Sequence, residues 1–341
     1  MRIENLLKII DGELENSPSV TFFDQIRIDA KQIKRADAFL CLEKSDLQTA
    51  IDNGAYAIIY SEDFPILDDE IAWIKVEDIE KTLIRYLRYK TVQTSSMLFY
   101  CDDITFQITK SITNDKGLVF LDGDIFRNFN KIINADSSSI FISNNKSFLD
   151  GIGPEHKDIP ILNTKDIKLV KDSLFRSDFI LDDKYYKNIK IPKIFLKFLN
   201  SSVDFLKNLN FEYNIENISI KSHFEPLFVD NEFNLKEFGE TNRVLIIESN
   251  PNFLNEEVIY LRHSAKYAKS SLLLPNSFKK FSDRYKEIDI YFYQNEIDIS
   301  HIKRKNYNFF LILQIEKDDI LEQLSTYRQK REKTLFQGIE Q

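Results

Sequence analysis

The sequence is 341 residues long and carries a net charge of −8, from 46 Lys and Arg against 54 Asp and Glu. At roughly 150 residues per domain, this length implies two or three domains whose cores need no disulfide or metal staple. The acidic balance argues against a nucleic-acid or anionic-membrane binder, because counterion release needs a basic face. Cys41 and Cys101 form no CxxC pair and read as buried thiols in a reducing compartment. The opening MRIENLLKIIDGE is charged throughout and has no signal-peptide h-region. Apolar runs such as Phe309–Leu313 fall far below the roughly 20 residues that span a bilayer, so no membrane insertion and a cytoplasmic location are expected. Glycine is scarce, with 8 residues. That weighs against a nucleotide enzyme, since phosphate loops and tight catalytic turns consume glycine.

In chain order, Ile3, Leu6, Leu7 and Ile10 lie at helical spacing, and Gly12 follows as a C-terminal stop. Strands are expected at Ser19–Phe23, Gln25–Asp29 and Ala38–Leu42, then a helix at Asp46–Asn53 closed by Gly54. Strands Tyr56–Tyr60 and Ala72–Val76 precede a helix at Asp78–Tyr89, completing a mixed unit of about ninety residues. From Met97 the pattern alternates: strand Met97–Tyr100, helix Asp103–Ile112, strand Leu118–Leu121, helix Phe126–Ile133, strands Ile140–Ser143 and Ile159–Leu162. Such alternation predicts a parallel sheet with crossover helices. The lone Gly151–Ile152–Gly153 reads as a turn. Residues 163–217 are less regular, apart from a helix at Ile194–Leu209 whose Phe195, Phe198 and Phe205 fit a buried face. A third α/β pattern follows: strand Arg243–Glu248, a helix near Glu256–Lys269, strands Ser271–Leu274, Asp289–Phe292 and Phe309–Leu313, and a charged helical tail from Asp318.

Three motifs in order carry a family resemblance. I-D-A-K-Q-I-K-R-A-D-A-F-L-C-L runs from Ile28 to Leu42, A-I-D-N-G-A-Y-A-I-I-Y from Ala50 to Tyr60, and D-G-E-L from Asp11 to Leu14. Together they resemble the N-terminal domain of the Mur ligases, the ATP-dependent ligases that extend UDP-MurNAc during peptidoglycan synthesis. The branch that adds D-Ala-D-Ala is the most similar. The resemblance implies that Asp29, Lys31 and Asp37 lie near a UDP-sugar pocket. One departure is the segment after Leu42, where Glu43–Ser45 leads straight into a helix and lacks the family loop's Gly and His. Further on, Phe179–Tyr186 (FILDDKYY) fits the end of a central domain. Arg243–Pro251 fits a family strand leading into an Asn-Pro, with Asn250 matching a ligand-contacting position. The implied architecture is a Mur-ligase-like N-terminal α/β domain (1–92), a degenerate parallel-sheet central domain (93–217) and a Rossmann-like C-terminal domain (218–341).

The ligase chemistry needs a Gly-rich loop whose amides hold phosphate and a Lys that neutralises it. No G-K-S or G-K-T occurs anywhere in the sequence. After Met97–Tyr100 the chain reads C-D-D-I-T-F-Q-I-T-K-S, with Asp102 and Asp103 where phosphate would sit. Two carboxylates suit a helix N-terminus but repel ATP. The four histidines, His156, His223, His263 and His301, form no pair at helical metal spacing. His223 and Glu225 are two residues apart and can share one face of a strand.

The sequence therefore predicts a catalytically inactive Mur-ligase-like protein, without cofactor, that binds or scaffolds in cytoplasmic peptidoglycan precursor synthesis. Its partner would be a UDP-MurNAc-peptide or a peptidoglycan-synthesis protein. One alternative is an ATP- and Mg-dependent UDP-MurNAc-tripeptide D-alanyl-D-alanine ligase with a divergent nucleotide site. Another is an unrelated enzyme of metal or porphyrin chemistry that uses His223 and Glu225.

Overall fold

The computed structural model describes residues 1–285, 287–294, 297 and 299–337. The chain forms two compact units, Met1–Asp102 with Asp115–Ile159, and Asp103–Asn114 with Pro160–Gln341.

The first unit begins with α1 (Ile3–Ile10), β1 (Glu13–Leu14), β2 (Ile26–Arg27), β3 (Ala38–Leu40), α2 (Leu47–Asp52), β4 (Ala57–Tyr60), β5 (Ala72–Lys75) and α3 (Ile79–Gln93). The strands form a sheet of order β1-β5-β4-β3-β2, parallel except for the antiparallel β1–β5 pair. Every residue of β3 and β4 is buried, as expected for parallel strands covered on both faces. The helix stop of α1 differs in detail from the sequence reading. Asp11, not Gly12, takes the left-handed position (φ 59°), and the Gly12 N–H donates to the Leu7 carbonyl at 3.1 Å. Gly12 is needed for proximity instead: a Cβ there would lie 2.9 Å from Ile74 Cγ2. Of the expected strand Ser19–Phe23, only a single bridge between Phe22 and Arg2 forms.

A second sheet in this unit comprises β6 (Met97–Tyr100), β7 (Leu118–Leu121), β8 (Ile140–Ser143) and β9 (Lys157–Asp158), in the order β7-β8-β6-β9, all parallel. Helices α5 (Ile125–Ile133) and α6 (Lys146–Ile152) belong to it, and α4 (Asp103–Ile112) departs to the second unit. Gly151 lies inside α6 rather than in a turn, and the last strand sits at Lys157–Asp158 instead of Ile159–Leu162. Helix α3 packs on α1, α5 and α6. One continuous core therefore joins Leu6, Ile59 and Ile74 to Leu83, Tyr86, Phe129 and Phe141.

The second unit holds α4 and a three-stranded antiparallel sheet of β10 (Lys168–Asp172), β11 (Ser177–Leu181) and β12 (Lys184–Ile189). Asp182 and Asp183, at φ 52° and 59°, make the two-residue turn between β11 and β12, the conformation that twisted hairpins favour. Helix α7 (Leu196–Asn208) follows, with Phe195, Phe198 and Phe205 buried as expected. It packs on α4, and Thr109 Oγ1 donates to Ser202 Oγ at 3.0 Å. The remaining elements are β13 (Glu225–Phe228), β14 (Val244–Glu248), α8 (Leu254–Ser264), β15 (Ser270–Pro275), β16 (Asp289–Tyr293), α9 (Ile299–Lys303), β17 (Phe309–Leu313) and α10 (Lys317–Gln337). Their sheet has the order β13-β14-β17-β15-β16 and is parallel except at the β13 edge. Leu245, Ile247, Phe310, Ile312, Ile320 and Leu324 form its core. Among the described residues, no helix is long and apolar enough to cross a membrane.

Candidate functional site

The apolar run of β14 ends in a fully buried acid, Glu248. An isolated carboxylate there would cost several kcal/mol, roughly 2–7 even for a neutral polar group without partners, so the surroundings must supply donors. They do. Glu248 Oε1 faces His223 Nδ1 at 2.8 Å and accepts from the Asn250 N–H at 2.7 Å, while Oε2 accepts from the Phe224 N–H at 3.0 Å. The other ring nitrogen, His223 Nε2, lies 2.9 Å from Asp103 Oδ2 at the start of α4. The edge of the Phe253 ring meets the imidazole at a centroid distance of 5.7 Å.

Backbone strain holds the imidazole in place. Ser222 and Phe224, on either side of His223, have φ of 57° and 45°. Left-handed conformations cost such residues about 1–3 kcal/mol each and persist only where neighbours fix them. Here the Ser249 N–H donates to the Ser222 carbonyl at 2.7 Å, and the Lys317 N–H donates to Ser222 Oγ at 3.2 Å.

Burial disfavours the charged imidazole, but hydrogen bonds to Asp103 and Glu248 and their negative charges outweigh it, raising the His223 pKa to about 9. At neutral pH the ring is an imidazolium donating both N–H groups to carboxylates. Neither nitrogen is then free to act as a base or a metal ligand. Beside this clamp, Glu257 in the first turn of α8 is fully buried next to Glu248. Burial, followed by the charge of Glu248, raises its pKa well above the carboxylate range, so it is a neutral acid.

Glu225 does not join His223. Its Oε2 accepts from the Ser222 N–H at 2.8 Å, and its Oε1 accepts from Lys317 Nζ at 2.5 Å. Strand β13 begins only at Glu225, so the two residues do not share a strand face. Asn250, by contrast, belongs to the cluster through its backbone, and its side chain caps the next turn by accepting from the Asn252 N–H at 3.0 Å.

In the first unit, Asp29 caps the turn Ala30–Gln32, accepting from the Lys31 N–H at 3.0 Å and from Gln32 Nε2 at 2.9 Å. Lys31 is exposed. Asp37 is buried, 2.5 Å from Arg27 Nε, and accepts from the Lys34 N–H at 2.9 Å, so it ties β3 to β2. Of the other histidines, His156 lies 3.2 Å from Asp150, and the His301 side chain lies outside the described residues. Among the described residues, no group of three or more His, Cys, Asp or Glu is placed to hold a metal ion.

Two members of the cluster carried only weak signals in the sequence. Asp103 reads as a helix cap, and Glu257 is one of two adjacent acids in a helix; an acid terminating the run V-L-I-I-E is the feature that points to Glu248.

No family model matches the sequence, and no curated protein matches it. Solved structures share its fold. The chain is similar to MurF from Acinetobacter baumannii, with 10% identity and a TM-score of 0.56 over 95% of this chain and 98% of that one. It is also similar to the UDP-N-acetylmuramoylalanyl-D-glutamyl-2,6-diaminopimelate–D-alanyl-D-alanyl ligase from the same organism, with 9% identity and a TM-score of 0.53 over 95% and 97% of the two chains. The α/β architecture is that of the Mur ligases.

Proposed function

We propose that this protein keeps the Mur ligase fold without ATP-dependent ligation, and acts as a binding or scaffolding protein in cytoplasmic peptidoglycan precursor synthesis. One observation carries the reading. Strand β6 ends at Tyr100 and α4 begins at Asp103, so only Cys101 and Asp102 connect them. A phosphate-cradling loop of the form GxxxxGK[ST] needs eight residues with glycines at fixed positions. Neither the length nor the glycines are available, and Asp103 is already engaged with His223. The positive groups that stabilise phosphoryl transfer are replaced by two carboxylates.

Thermal shift with Mg-ATP, and separately with UDP-MurNAc-tripeptide, tests this. A ligand present at 100 times its Kd stabilises the native state by roughly 2.7 kcal/mol, an effect readily measured. The expected result is a shift with the UDP-MurNAc-peptide and none with millimolar Mg-ATP. A clear ATP shift followed by ADP release that requires both UDP-MurNAc-tripeptide and D-Ala-D-Ala would overturn the proposal in favour of a ligase.

A further inference from the structure

The second unit contains a groove of about 1030 Å³ between β12 and β13, each the terminal strand of its own sheet. In a chain of net charge −8, the free charges along this groove are mostly positive. Lys317 and Lys236 are neutralised by Glu225 at 2.5 Å and Asp230 at 3.4 Å. Lys187 and Lys190 are exposed and make no ion pair among the described residues, although Lys187 contributes to the field that lowers the Asp178 pKa. Among the described residues Arg176 also makes no ion pair. Its guanidinium lies 3.7 Å from the centre of the Phe238 ring, and its buried Nε has no hydrogen-bond partner. Of the acids on the rim, Glu216 pairs with Lys184 at 3.8 Å, which leaves Glu237.

We propose that this groove binds an organic phosphate monoester with a flat apolar body. A phosphate monoester carries about −1.5 to −2 charges at neutral pH, which suits three cations set against one acid. A guanidinium already fixed against a ring presents its fork to phosphate with little further ordering. Phe228 and Phe238, with ring centres 4.9 Å apart, offer a surface for the flat body, and Phe238 is 43% exposed. The volume lies at the upper end of small-ligand pockets, roughly 300–1,000 Å³. Addition of a peptide strand suits the groove less well. Pro226 removes a donor from β13, and β12 has an irregular register opposite Ser177–Phe179.

The bland account is that the lysines merely guard two sheet edges against aggregation. Titration calorimetry on the full chain separates the two, with phenyl phosphate, inorganic phosphate and benzoate as probes. Phenyl phosphate is expected to bind saturably in the millimolar range or tighter, at least tenfold more tightly than inorganic phosphate or benzoate. Its affinity should fall at least tenfold in Arg176→Gln and also in the Lys187→Gln/Lys190→Gln double variant. The exposed lysine pair provides a variant whose folding is not at risk, checked by an unchanged melting temperature. Phe238→Ala should abolish the preference for phenyl over inorganic phosphate. No saturable binding, or binding unchanged in both cation variants, overturns the site. Equal affinity for phenyl and inorganic phosphate overturns the flat body, and equal affinity for benzoate overturns the phosphate.

Discussion

The imidazolium clamp predicts a pH-dependent stability confined to the second unit. The unfolded reference for a histidine is about 6.5 and the folded value is about 9. Because the folded pKa is the higher one, the native state binds more protons between these values, and stability falls as pH rises through that window. The contribution is fully present below about pH 6.5 and is lost by about pH 9. At about 1.4 kcal/mol per pH unit it amounts to about 3 kcal/mol. The His223 side chain has no solvent exposure, so screening by water does not reduce it. Hydrogen exchange of the Phe224 amide, which donates to Glu248, reports on this unit. Fluorescence of Trp73, the single tryptophan and fully buried in the first unit, serves as an internal control. In the wild type, His223 should contribute a drop of about 3 kcal/mol to the free energy of opening at Phe224 from pH 6 to pH 9. In His223→Gln the amide should be less protected at pH 6 and should lose the part of the pH slope that the imidazolium supplies, leaving the part due to the raised Glu257. A ring that titrates near pH 6.5 by NMR, or a pH slope unchanged in His223→Gln, would refute the reasoning.

Three more outcomes follow from the packing. Gly153→Ala would place a Cβ 2.1 Å from Leu98 Cδ1 in the first core, so it should destabilise that unit by about 1–3 kcal/mol in urea titrations. Asp37→Ala removes the buried partner of Arg27 and the acceptor of the Lys34 N–H, and should cost about 2–4 kcal/mol by the same assay. Cys41 is buried, and burial followed by the charge of Asp46 pushes its pKa up to about 12. It should therefore resist iodoacetamide at pH 8 in the native protein and react once the chain is unfolded, as mass spectrometry would read.

Much of the fold was legible in the sequence wherever one physical signal dominated. The apolar runs at β6, β7, β8 and β17 fixed those strands to the residue, and the helix expected at Asp103–Ile112 is α4. The hairpin β11–β12 was not read, because its turn is Asp182–Asp183 rather than a glycine turn and lysines interrupt its second strand. The site was less legible still. Asp29 caps a turn and Asp37 forms a buried ion pair, and a turn cap and an ion pair use the same residue types as a binding motif, so residue identity alone did not separate the two roles. His223 stood out, but its partner Asp103 is 120 residues away in sequence, and no local spacing encodes such a contact.

The place of α4 in the chain shapes how this protein is made. Its buried face (Ile104, Phe106, Ile108 and Ile112) leaves the ribosome before α7, and the acid at its start leaves before His223. At about 5–20 residues per second, the hundred-odd residues from the start of α4 to the end of α7 take on the order of 5–20 s to synthesise. Throughout that interval α7, the helix on which α4 packs, is incomplete. The second unit thus closes only after synthesis has passed well beyond the strands of the first, and a fragment starting at residue 160 would lack the helix and carboxylate it needs to close at all.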